Sequence, residues 1–205
     1  MTKKHYDYNV FINCPFDDKY LKLRKALVFA IFDCGFIPRC ALEEDNGANV
    51  RVGKIMQLIK ESKFGLHDIS RTELDSNTNL PRFNMPLELG VFLGAMNFGV
   101  DEQKEKNCLI LDCEPYRYQA FISDIAGHDI RAHNSDPEEL IKLVRNWLND
   151  ASTDKIIPGG REIVRRFIAF EEDLPTICAA VPIDIDELTF NDYAQLISEW
   201  LRKNT

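Results

Sequence analysis

Glu88 is the residue around which a chemical reading of this sequence gathers. It is the only charge in the run PLELGVFLGAMNF, residues 86–98, which is otherwise apolar or small on nearly every helical face. Pro86 suits the first position of a helix, which puts Glu88 in the first turn, where a carboxylate favours the dipole or bonds back to a cap. A solvated glutamate belongs on a polar helix face, however, and this helix is expected to be buried. The apolar setting therefore favours a functional carboxylate. Upstream, Phe64-Gly65-Leu66 runs into His67-Asp68, an apolar run that stops at an acid where a strand would leave its sheet, and a turn-rich loop over residues 70–84 follows. A carboxylate beside such a loop lies where open α/β sheets bind their ligands. Asp68 divides evenly between ligand binding and closing the loop through backbone N–H bonds.

Cationic groups surround the same region. Arg71 and Arg82 lie in the loop, and Arg39 and Arg51 flank the preceding strand-to-helix connection. Each alone reads as a surface ion pair of little energetic value, but together they could hold a pyrophosphate. Asn13-Cys14-Pro15-Phe16-Asp17-Asp18 leaves the first strand towards the same crevice. The two aspartates read as helix caps. Cys14, with no histidine beside it in sequence, reads as a buried thiol rather than a nucleophile, and His67 as a packed, hydrogen-bonded ring. There is no GxGxxG and no Walker-type loop.

The elements that must position these groups alternate. Residues 8–13 (YNVFIN) make a first strand. A helix follows with Leu23, Leu27, Ala30, Ile31 and Cys34 at helical spacing, ended by Gly35. Residues 36–40 make a second strand, residues 43–47 a polar loop, and Val52, Ile55, Met56 and Ile59 mark a second helix before the strand that ends at Leu66. After the Glu88 helix come a charged connection (101–106), a buried strand (108–111), a helical stretch (116–126) and a short fifth strand (129–132). Asp136-Pro137 opens an amphipathic helix carrying Leu140, Leu143, Val144, Trp147 and Leu148. This alternation predicts a flavodoxin-like three-layer α/β sandwich over residues 1–150, with a mostly parallel sheet of about five strands. Residues 151–205 read as a C-terminal helical extension, packed on that domain or at an oligomer interface. In it, a helix spans about 161–172, a proline-bounded segment reaches Pro182, and a last helix carries Tyr193, Leu196, Ile197, Trp200 and Leu201.

Composition narrows the function classes. With 45% hydrophobic residues, 205 residues bury one substantial core. A net charge of −8 argues against a broad basic surface, so nucleic acid is not the expected partner. No apolar run reaches the length of a membrane span and the first residues lack a signal-peptide core, so the expected location is cytoplasmic, without membrane contact. The six cysteines show neither CxxC nor zinc spacing and read as reduced thiols, with no metal expected.

Three segments, in order, resemble known families. YDYNVFINCPFDD (6–18) resembles the opening strand and acidic loop of Toll/interleukin-receptor (TIR) domains. HDISR (67–71) and MPLELGVFLGA (85–95) resemble the strand-end acid and the E-L-G-x-x-x-G/A helix start shared by nucleoside 2-deoxyribosyltransferases and bacterial TIR-like nucleotide-binding domains. The resemblance covers about the first two-thirds of the chain. It implies Glu88 as the catalytic glutamate and Asp68 as a contact to the ribosyl or base moiety. Asn13, Cys14, Pro15, Phe16, Arg71, Arg82, Asn84 and Met85 then line the substrate crevice. The implied chemistry is cleavage or exchange of an N-glycosidic bond, with NAD as substrate and no cofactor. It also implies a homo-oligomer, with a partner effector protein and bacterial anti-phage defence as its setting. The segment 82–86, Arg-Phe-Asn-Met-Pro, replaces the Asp-Gly-Thr of the deoxyribosyltransferases, and the tryptophan that TIR domains carry just before the glutamate is missing. These departures turn the expectation away from deoxyribosyl transfer and keep a non-catalytic nucleotide-sensing module as the alternative.

Overall fold

Strands β1 (Asn9–Asn13), β2 (Ile37–Arg39), β3 (Phe64–Asp68), β4 (Asn107–Asp112) and β5 (Ile130–Ala132) form one sheet, every neighbouring pair parallel, in the order β2-β1-β3-β4-β5. This is the flavodoxin-like order, and its switch point lies between β1 and β3. The computed structural model describes residues 3–43, 50–75, 78–152 and 155–205, so the expected polar loop over 43–47 lies outside the described residues beyond Glu43.

Side-chain alternation along the strands packs both faces of the sheet. Val10 and Ile12 of β1, Phe64 and Leu66 of β3, and Leu109 and Leu111 of β4 face one side. There they meet α2 (Leu21–Asp33) and α5 (Pro137–Ala151) through Leu27, Ile31, Leu140 and Val144. Phe11, between Val10 and Ile12, faces the other side and packs with Ile55, Leu58 and Ile59 of α3 (Arg51–Lys60) and Phe92 of α4 (Asn84–Phe98). Gly65 permits this second layer to close, because a Cβ there would stand 2.5 Å from Phe92 Cε2. Gly35, at φ +77°, turns the chain from α2 into β2. A short α1 (Lys3–Tyr6) precedes β1. The extension consists of α6 (Gly160–Ala180) and α7 (Phe190–Asn204) and shares the core on the first face. The Phe29 ring of α2 lies 5.6 Å from Phe167, 5.5 Å from Phe170 and 6.1 Å from Trp200.

Several expectations are corrected. The helix expected to stop near residue 172 runs through Pro175 to Ala180, because Phe170, Leu174 and Cys178 stay on its buried face and outweigh the backbone bond that proline deletes. The stretch 116–126 is not one helix but two 3-10 turns, Arg117–Ala120 and Ser123–Ile125. Asp17 caps nothing with its side chain, which pairs with Arg71 instead. The largest correction concerns α4. It begins at Asn84, so Pro86 is its third residue and Glu88 stands in the second turn. It buries only Met85, Leu89 and Phe92, while Leu87 is 58% and Phe98 90% exposed. Across from it, Val52 and Met56 of α3 are also exposed.

Candidate functional site

The carboxyl end of β1 sets the geometry. The Asn13 amide donates to the Met85 carbonyl at 2.8 Å and stands 3.0 Å from His67 Nδ1, so one side chain ties β1, β3 and the start of α4 together. Burial and the Lys106 charge lower the His67 pKa to about 3, leaving a neutral ring that accepts the amide proton at Nδ1. The first turn of α4 is thereby fixed, and Glu88 follows one turn later.

Asn13, Cys14, Pro15 and Phe16 from β1 and its loop, Arg71 and Arg82 from the loop after β3, and Asn84, Met85 and Glu88 from α4 line one hollow of about 70 Å³, joined by Asp17 and Arg51. Of the residues the sequence reading placed at this site, the structure brings all but Asp68 and Arg39 to this hollow. Arg71 Nε stands 3.3 Å from Asp17 Oδ2 and 3.4 Å from Glu73 Oε2, while the exposed Arg82 is 4.0 Å from Asp75. Arg39 lies elsewhere. It bonds Glu43 at 2.8 Å and lines a separate surface cavity with Glu61. The Cys14 thiol is buried and its pKa is raised by burial and by Asp68, so it stays protonated and is no nucleophile.

Asp68 is a correction to the ligand-contact expectation. It is fully buried and does not reach the hollow. Its carboxylate accepts hydrogen bonds from the Tyr20 hydroxyl and, at 2.9 Å, from the Ser70 N–H, and lies 3.0 Å from His133 Nε2. Burial alone would raise its pKa, but His133, Ser70 and Tyr20 together hold it below the ordinary carboxylate range. Asp68 therefore closes the loop. One functional support escaped the sequence reading. Arg117 donates to Asp112 at 2.9 Å, to Thr72 Oγ1 at 2.6 Å and to the Ser70 carbonyl at 2.8 Å, anchoring the start of the loop that carries Arg71. The available signal was Asp112, an acid ending the apolar run of β4 just as Asp68 ends β3.

Glu88 is half-buried, and desolvation raises its pKa to about 7 against the opposing field of Arg51. It is not a first-turn acid of α4, whose N-cap residue, Phe83, makes no side-chain capping bond. On its other side lies a second hollow of about 190 Å³, which shares Arg51, Asn84 and Glu88 with the first. Glu88 thus stands between a cationic hollow and an apolar one, where a carboxylate can stabilise positive charge on a ligand whose anionic part the guanidinium groups hold. Among the described residues no cluster of three or more His, Cys, Asp or Glu side chains could hold a metal ion, and no helix is long and apolar enough to cross a membrane. In comparisons with known proteins, no family model, no curated sequence and no solved structure matches the chain.

Proposed function

We propose that this protein cleaves or rearranges the N-glycosidic bond of NAD, releasing nicotinamide and leaving linear or cyclic ADP-ribose. The observation that carries the proposal is Glu88, a half-buried carboxylate at the junction of an arginine-lined hollow and an apolar one. As the bond between the anomeric carbon and the ring nitrogen breaks, its electron pair leaves with nicotinamide, which departs neutral and needs no general acid. Positive charge develops on the anomeric carbon, and the Glu88 carboxylate stabilises it electrostatically or by direct attack. Water then bonds to that carbon, displacing the Glu88 carboxylate where it has attacked, and gives up a proton to solvent to give ADP-ribose. A nitrogen of the adenine can take its place to give the cyclic product. Arg51, Arg71 and Arg82 hold the diphosphate. The burial of Asp68 favours NAD over a deoxynucleoside, because a nucleobase needs protonation to leave and Asp68 is sealed from the hollow. A homo-oligomeric assembly and a role in antiviral defence belong to this proposal as the setting that the TIR-like segments imply.

Incubation of concentrated protein with NAD, followed by chromatography of the products, tests the assignment. Nicotinamide is expected with the wild type and not with Glu88→Gln; release by that variant at the wild-type rate refutes it. A second reading, a nucleotide-sensing module, draws on Arg71 being already paired with Asp17 and Glu73 beside a hollow of only about 70 Å³. It predicts saturable nucleotide binding with no product from assembled protein.

A further inference from the structure

The fold leaves the apolar hollow between α3 and α4 without a structural task. The core face of α3 is Ile55, Leu58 and Ile59, and that of α4 is Met85, Leu89 and Phe92. Val52 at 47%, Met56 at 49% and Leu87 at 58% exposure are surplus to both. Exposed apolar side chains scattered singly are ordinary on a protein surface, but these three come from two helices and line one concavity.

We infer that this hollow seats the departing base, so that the ligand straddles Glu88 with its ring against Val52, Met56 and Leu87 and its diphosphate over the arginines. This rests on the glycosidic reading above and assigns the two halves of the substrate to the two hollows. Continuity supports it first, since Arg51, Asn84 and Glu88 border both spaces. The chemistry also runs in the direction catalysis needs. The nicotinamide ring is cationic in NAD and neutral once released, so an apolar seat binds the departing base better than the attached one. Asn84, on the shared rim, supplies a polar group for the edge of the ring. Asp17 Oδ1, buried on the wall of the cationic hollow and without a hydrogen-bond partner among the described residues, offers an acceptor to a ribose hydroxyl.

The test is a double dissociation with two ligands the protein does not consume, nicotinamide and ADP-ribose, titrated by ligand-observed NMR. Met56→Lys intrudes an ammonium into the apolar hollow from an exposed position, and Arg82→Gln removes a cation from the other; circular-dichroism melts confirm that both variants fold. Met56→Lys is expected to weaken nicotinamide about tenfold or more and ADP-ribose less than about twofold, and Arg82→Gln to weaken ADP-ribose alone. Wild type that binds both ligands, with Met56→Lys weakening both equally or neither, overturns the base seat and leaves the cleavage reading standing. Wild type that binds neither overturns both. The expected dissociation in a protein that never releases nicotinamide from NAD overturns cleavage and the departing base with it, and leaves the hollow as a nicotinamide-binding site alone.

Discussion

Glu88→Gln should make the protein more stable at pH 8 while removing its activity. Burial raises the Glu88 pKa from 4.5 to about 7 in the folded protein. Between these values the unfolded chain has released the proton and the folded one still holds it, so stability falls as pH rises, and the deficit is complete above about pH 7. At about 1.4 kcal/mol for each tenfold change in the proton equilibrium, the shift from 4.5 to about 7 is worth about 3 kcal/mol in full. Glu88 is only half-buried, and solvent screening reduces the figure to about 2 kcal/mol. Glutamine keeps the volume and sheds the charge. The variant should therefore melt about 6 °C higher than the wild type at pH 8, since 1 kcal/mol is worth roughly 2–4 °C in a chain of this size. At pH 5 the gap should shrink below about 1 kcal/mol. Paired thermal melts by circular dichroism at the two pH values measure both gaps. A gap independent of pH, or a variant less stable at pH 8, would falsify the claim that Glu88 is held in a desolvating site.

Three further outcomes follow from the same geometry. If the ionised Glu88 does the chemistry, kcat/KM for nicotinamide release rises with pH through about 7 and levels above it; a flat profile from pH 5 to 8 contradicts this. Asp68→Asn should destabilise by about 3 kcal/mol at neutral pH, since it removes a buried carboxylate that Tyr20, Ser70 and His133 surround. Because the folded state lowers the Asp68 pKa, that penalty should fade as pH drops below the ordinary 3.8, and ADP-ribose affinity should be unchanged wherever the variant is folded. Pro175→Ala should raise stability by about 1–2 kcal/mol by restoring a backbone donor in the interior of α6, and a lower melting temperature would show that the proline is built into the packing.

The order of strands and helices was legible because each element carries its own period. Val10 and Ile12 alternate with Phe11, and Leu140, Val144 and Leu148 recur at helical spacing, so local pattern alone assigns type and partner layer. The crevice was legible for a related reason. In a parallel sheet all strands end on one side, so Asn13–Phe16 and the loop after β3 had to converge wherever β1 and β3 are neighbours. Where local pattern and burial disagreed, the sequence misled. The run from Pro86 to Phe98 is apolar or small on nearly every face, and hydrophobicity by itself does not say whether another element covers the outer one; in α4 nothing among the described residues covers Leu87. The helix through Pro175 reads as two segments until Leu174 and Cys178 are seen in the core.

The sequence by itself determined the alternating α/β architecture and the singular status of Glu88, because side-chain periodicity and a lone charge in an apolar run are local properties. Only the tertiary structure decided which acid faces the hollow and which one closes a loop. Asp68 and Glu88 are indistinguishable as carboxylates near strand and helix ends. Tyr20 and His133, 48 and 65 residues away from Asp68 in sequence, are brought onto it by the fold and seal it from solvent. Among the described residues nothing comparable covers Glu88; desolvation outweighs the opposing field of Arg51, so it keeps a half-buried carboxylate with a pKa raised to about 7 at the meeting of two hollows. Burial and hydrogen-bond partners arise from contacts distant in sequence, and they make one of two similar acids a buried loop closure while the other stays on the wall of the hollow.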